Sequence, residues 1–145
     1  MSEIAIRRLR LPEDATEKTA QAIARLTREL GEEHQPAGDI PWLEAIVRPD
    51  TTYLLVAETE EGEIVAMVTM CTYRTQTGHK SQVEDVSTDE AYRGQGLCTR
   101  LFAEIFRIQK EQECAIQLTS RPSRIAANRL YQKLLRLVIT NVYRG

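Results

Sequence analysis

The chain is short of cysteine, of charge of one sign and of long apolar runs, and each shortage excludes something. Its three cysteines, Cys71, Cys98 and Cys114, are odd in number and widely spaced. That is neither a disulfide framework nor a zinc-ligand set, so the expectation is reduced thiols, no bound metal and a cytoplasmic location. The net charge is −2 over 145 residues, which gives no pull toward nucleic acid or an anionic membrane. No stretch approaches the roughly 18 apolar residues of a membrane span, and the start at Met1-Ser2-Glu3 has no signal-peptide core. Repeats and low-complexity segments are absent. What is there is an ordinary soluble balance, 42% hydrophobic and 28% charged. The length suits one domain over residues 1–145 with a sizeable core.

Hydrophobic patterning predicts the elements. Residues 3–9 alternate as a strand does. Asp14 and Glu17 have capping-box spacing. Ala15, Thr19, Ala22, Ile23, Leu26 and Leu30 then mark one face of a helix that Gly31 would end. Residues 32–41 hold Pro36, Gly38 and Pro41 and read as a loop, and residues 41–48 as a short helix stopped before Pro49. Two β-rich runs, 51–58 and 64–73, flank Glu60-Glu61-Gly62-Glu63, a hairpin signal. Residues 80–88 give a further strand. Residues 96–109 give a helix with Leu97, Leu101, Phe102, Ile105 and Ile108 on one face. A short strand over 114–119, a helix over 122–135 opened by Pro122-Ser123, and a closing strand over 137–143 complete the order β-α-α-β-β-β-α-β-α-β. That order predicts an α/β protein with a mixed sheet and helices on both faces.

The most informative stretch is Ala91-Tyr92-Arg93-Gly94-Gln95-Gly96-Leu97-Cys98-Thr99. It joins a strand to a helix N-terminus. Small residues let a ligand approach the backbone, the first N–H groups of the helix are unpaired, and the helix dipole favours negative charge there. Arg93 adds a positive charge. A phosphate-bearing ligand is therefore expected. The Lys-Ser/Thr pair of a P-loop does not follow the glycines, and Thr99 stands at the third glycine of a dinucleotide fingerprint, so both of those loops are excluded.

Arg93-Gly94-Gln95-Gly96-Leu97-Cys98 resembles the acyl-coenzyme A loop of the GNAT N-acetyltransferase superfamily, [Q/R]-x-x-G-x-[G/A], with Cys98 departing from its last position. Ala126-Ala127-Asn128-Arg129-Leu130-Tyr131 resembles the family's second signature helix, although Leu135-Arg136 stands where Gly-Phe often follows it. The resemblance covers most of residues 51–143. It implies an acyl-CoA-dependent N-acetyltransferase with acetyl-CoA as donor and a primary amine, of a small molecule or a peptide, as acceptor. Homodimers are frequent in the family.

Several residue roles follow from the resemblance. The diphosphate would sit on the N–H groups of Arg93, Gly94, Gln95, Gly96, Leu97, Cys98 and Thr99. The backbone of Val86, Ser87 and Thr88 would pair with the pantetheine arm and polarise the thioester carbonyl. Asn128 would contact the same arm, and Tyr131 would protonate the departing sulfur. Amine attack needs a proton acceptor. Glu84 is the first candidate, with His79 or water as rivals, and Asp85 should point to the other face of the strand. Arg121, Arg124 and Arg129 gather at the start of the last helix, and Trp42 suits an acceptor pocket or the core. A non-catalytic CoA-binding or regulatory module is the alternative reading.

Overall fold

The computed structural model describes residues 3–145. Its elements run β1 (Ile4–Arg8), α1 (Glu17–Arg28), α2 (Ile40–Val47), β2 (Thr52–Thr59), β3 (Ile64–Thr75), β4 (Gly78–Thr88), a single 3-10 turn (Glu90–Tyr92), α3 (Leu97–Gln112), β5 (Ala115–Leu118) and α4 (Ile125–Leu134). The five strands form one sheet in chain order, β1-β2-β3-β4-β5. The first three pairings are antiparallel and the β4–β5 pairing is parallel.

β2 and β3 are apolar without interruption because both sheet faces are covered. Leu54, Val56, Ile64 and Met67 pack against Ile23 and Leu26 of α1 and Leu43 and Val47 of α2. Leu55, Ala57, Val68, Met70 and Val83 face the other way, onto Leu101, Phe102 and Ile105 of α3 and Tyr131 of α4. The α3 face read from the sequence is the buried one. β3 and β4 are longer than expected and meet in a tight hairpin, with Thr75 opposite Gly78.

Three expectations are corrected. Asp14 does not cap α1. Its carboxylate accepts two hydrogen bonds from the Arg7 guanidinium, at 2.9 and 3.0 Å, and one from the Arg10 N–H at 2.7 Å. Arg7 also bridges to Glu58 at 2.9 Å. Such charge-assisted bonds are stronger than a cap, and Thr16 takes the cap instead, accepting from the Thr19 N–H. The helix ends at Arg28, ahead of Gly31. The third correction is the closing strand. Residues 136–145 form no regular element, and Leu137, Val138, Ile139, Val142 and Tyr143 are exposed. Their alternation is a packing preference, realised only beside a partner strand, and the chain leaves α4 at an extended Leu135 without reaching one.

Candidate active site

The sheet divides at β4. Its pairing with β5 runs from Lys80↔Ala115 to Val83↔Leu118 and stops. Glu84 to Thr88 therefore lack a strand on that side, while Ser87 and Thr88 stay paired with β3. A backbone edge without a strand is ready to pair with an extended ligand. At the point of divergence the register slips between Met67 and Thr69, and Asp85 adopts a left-handed φ of 52°. This is a β-bulge, which bends the strand and re-aims its side chains.

A cleft of about 590 Å³ opens beside that edge. One wall is the β4–α3 loop with Val86, Thr88, Tyr92, Arg93, Gly94, Gly96, Leu97, Cys98 and Thr99; the other is α4 with Arg124, Ala127, Leu130 and Tyr131. Gly94 and Gly96 are both left-handed, with φ of 79° and 77°, which a side chain resists. A Cβ at either would meet nothing within 4 Å, so the glycines are required by conformation and leave open space. Gly96 is the N-cap of α3 and has no side chain to cap it. The first hydrogen bond into the helix is Arg100 N–H to the Gly96 carbonyl at 3.1 Å, so the amides of Leu97, Cys98 and Thr99 have no helical partner. Together with Arg93 and Arg124 they give this end of the cleft free donors and positive charge, which suit an anion.

Burial at the helix start pushes the Cys98 thiol up to about 11, and Arg124 only partly opposes this. Cys98 is therefore neutral and adds no charge against a diphosphate. Tyr131 is 7% exposed, and its ring lies tilted on Phe102 with centroids 5.7 Å apart. Burial raises the phenol's pKa, with Cys98 adding to the shift and Arg124 opposing it. The phenol keeps its proton near neutral pH.

Residues 19–135 match the sequence pattern of the Acetyltransferase (GNAT) family. The chain belongs to the GNAT acetyltransferase family. Solved structures agree in fold. An acetyltransferase of Trypanosoma brucei is 21% identical, with 99% of each chain covered and a TM-score of 0.78. A transcriptional regulator of Bacillus halodurans C-125 is 26% identical over 99% of each chain, with a TM-score of 0.76. An aminoglycoside acetyltransferase from an uncultured soil metagenomic sample is 16% identical, with 98% of this chain and 95% of that one covered and a TM-score of 0.82. Among proteins of curated function none matches this chain.

Within this GNAT frame, the structure sorts the residues singled out in the sequence. Val86, Ser87, Thr88, Arg93, Gly94, Gly96, Leu97, Cys98, Thr99 and Tyr131 all border the cleft. Gln95 lies on the far side of the loop, in a depression shared with Ile4 and Arg100. The Asn128 amide donates to the Arg121 carbonyl at 2.8 Å, which ties the turn before α4. Ser87 spends its hydroxyl on the Leu26 carbonyl at 2.9 Å, satisfying an end of α1 that the helix leaves open. Arg124 borders the cleft, whereas Arg121 pairs with Glu33 at 3.4 Å and Arg129 is exposed. Trp42 packs on the α1–α2 core.

The base candidates separate. Glu84 sits at the bulge opposite Thr69, with its pKa raised by desolvation and then by the neighbouring Asp85 charge. The bulge breaks strand alternation, and both carboxylates are exposed. Burial, and then both of these charges, also raise the Cys71 thiol. His79 lies at the other end of β4, paired with Arg74, and its Nδ1–H donates to the Gln112 carbonyl at 3.1 Å. Five residues of strand put it about 16 Å from Glu84. Sequence reading missed Glu29, which borders the cleft and lies 3.5 Å from the Arg93 guanidinium. Only the packing of α1 reveals it, since no local pattern links positions so far apart.

Proposed function

We propose that the protein moves an acetyl group from acetyl-CoA to a primary amine by direct transfer in a ternary complex. It works as a single domain over residues 1–145, in the cytoplasm, with a small-molecule or peptide amine as acceptor. One observation carries this reading: the uncapped start of α3, the unpaired edge of β4 and the Tyr131 phenol meet in one cleft. The donor would supply an acetyl group already activated as a thioester. Loop amides and Arg93 suit its diphosphate, and the open space around Gly94 and Gly96 leaves room for it.

The chain's own groups then divide the work. Glu84, directly or through a water, takes a proton from the incoming ammonium so that a neutral nitrogen attacks. Its raised pKa suits that exchange. Backbone N–H groups of residues 86–88 polarise the carbonyl as charge develops on its oxygen. As the new C–N bond forms, the nitrogen releases its second proton to solvent; the C–S bond breaks, and Tyr131 gives its proton to the leaving sulfur and regains one from solvent. Fixing donor and amine together supplies the remaining advantage.

Calorimetry with acetyl-CoA against ATP, followed by turnover over a broad amine panel, tests the proposal. Micromolar acetyl-CoA binding well above ATP, with turnover of at least one amine, is the expected result. Equal binding of ATP and acetyl-CoA would defeat it. A non-catalytic CoA-binding or regulatory module is the second reading. It is favoured by Cys98, where the family pattern has Gly or Ala, and by the transcriptional regulator among the similar structures. Acetyl-CoA binding with no turnover of any amine would select it.

A further inference from the structure

The last turn of α1 grips the loop that forms one wall of the cleft. Arg25 is the centre of that grip. Its Nη1 pairs with the Asp89 carboxylate, and its Nη2 donates to the Ile64 carbonyl at 3.1 Å. The other Asp89 oxygen accepts the Ala91 N–H at 2.9 Å and so caps the 3-10 turn of Glu90–Tyr92. Asp89 also donates its own N–H to the Val65 carbonyl at 2.8 Å. One guanidinium thus spans the start of β3 and the cap of the turn that leads into Arg93, Gly94 and Gly96. Next to it Ser87 is bonded to the Leu26 carbonyl, and Arg93 reaches the Thr88 carbonyl at 3.2 Å.

The two charges are well matched for this task. The Ala91 N–H first, and then Arg25, hold the Asp89 carboxyl below its ordinary value. It stays ionised near neutral pH. Arg25 itself does not border the cleft. It lines a neighbouring depression with Lys18, Glu63, Asp89 and Tyr92. It therefore touches neither the loop amides nor the unpaired edge of β4, and its charge-assisted link to the loop is the pair with Asp89.

We infer that Arg25 is a positioning residue: through Asp89 it fixes the 3-10 turn that aims the loop amides at the donor's diphosphate. This rests on the proposed function, because the loop must be the donor site. Without Arg25, Asp89 would exchange its partner for water. The turn would then sample other geometries and would have to be ordered at each binding event, which weakens binding and leaves the chemical step alone. The tenfold change in affinity expected here corresponds to about 1.4 kcal/mol.

The test uses the whole protein and two readouts. Amide hydrogen exchange of the ligand-free protein follows the loop without reference to any ligand. Calorimetry and steady-state kinetics with acetyl-CoA follow its use. In Arg25→Gln the amides of residues 90–97 should exchange faster while those of α2 do not. The acetyl-CoA Kd and KM should rise about tenfold with kcat held within about twofold. Arg25→Lys should recover part of the loss, since it keeps the charge but not the forked reach. Unchanged loop exchange in Arg25→Gln, or an unchanged Kd beside it, would overturn the inference. So would a fall in kcat at constant KM. If the wild-type protein itself fails to bind acetyl-CoA, the proposed function and the donor-aiming role fall together, and faster loop exchange would then show only that Arg25 holds the turn.

Discussion

The two walls of the cleft are built differently. The loop wall is pinned from outside itself: Ser87 to the Leu26 carbonyl, Asp89 to Arg25 and Val65, Arg93 to Glu29. The α4 wall hangs on few contacts. Only Tyr131 is buried in that helix, its cap at Arg124 makes no side-chain hydrogen bond, and in the segment leading to it the buried Ser120 Oγ meets no protein partner among the described residues. A native protein leaves few such groups unsatisfied. The difference matches the demands of the proposed chemistry. A diphosphate site needs amides already aimed, whereas a wall that admits and releases a long donor can be the one of low local stability. Tyr131, the residue assigned to proton delivery, is then also the buried side chain that anchors α4 to the core.

That contrast can be broken or sharpened by experiment. The largest effect is expected from Phe102→Ala, which removes the ring beneath Tyr131 from the core of α3. About 4 kcal/mol of stability should be lost in urea unfolding, with α4 amides exchanging fastest in native-state hydrogen exchange. Uniform exchange across both walls would show that they are equally held. Tyr131→Phe keeps the packing and removes the proton. It should lower kcat about 100-fold while acetyl-CoA affinity by calorimetry stays unchanged; a loss of affinity with intact kcat would place Tyr131 in binding only.

On the other wall, Gly96→Ala introduces a side chain at a left-handed φ where there is open space, so its cost is conformational. That cost is about 1–2 kcal/mol, read as roughly tenfold weaker acetyl-CoA binding if the loop must hold its geometry. Affinity equal to wild type would mean that the loop geometry is not needed. The smallest effect concerns Glu84, which is exposed and can be replaced by water. Partial desolvation, and then the neighbouring Asp85 charge, raise its carboxyl, so the ionised base is lost on acidification at a higher pH than for an ordinary carboxylate. The pH profile of kcat/KM should rise through that titration. Glu84→Gln should flatten this limb and lower kcat/KM about fivefold; an unaltered limb would assign the titration to another group.

Legibility in the sequence followed the range of the interaction. The α3 face of Leu97, Leu101, Phe102, Ile105 and Ile108 could be read because 3.6-residue periodicity is local. So could the Glu60-Glu61-Gly62-Glu63 turn and the strand-to-helix loop around Gly94 and Gly96. The cap of α1 was misread because Asp14 has a stronger partner in Arg7, which sits on β1 and shares Glu58 of β2. Residues 137–143 carry a strand pattern without a strand, because a pattern states what a segment would bury and not whether an edge is there to receive it. Glu29 and Arg25 gave no signal, since what makes them matter is the loop they touch far along the chain.

The sequence by itself determined the family and the helix and strand periodicities through α3, and it led to the expectation of an anion site at the loop. Each of these rests on short stretches of residues near one another along the chain. Tertiary structure alone decided where β4 parts from β5, that Cys98 stays protonated through burial, that His79 is tied off at the far end of its strand, and that α1 holds the loop in place. Those outcomes depend on desolvation and on partners brought together across the sheet, which fall with distance in space and carry no trace in spacing along the chain.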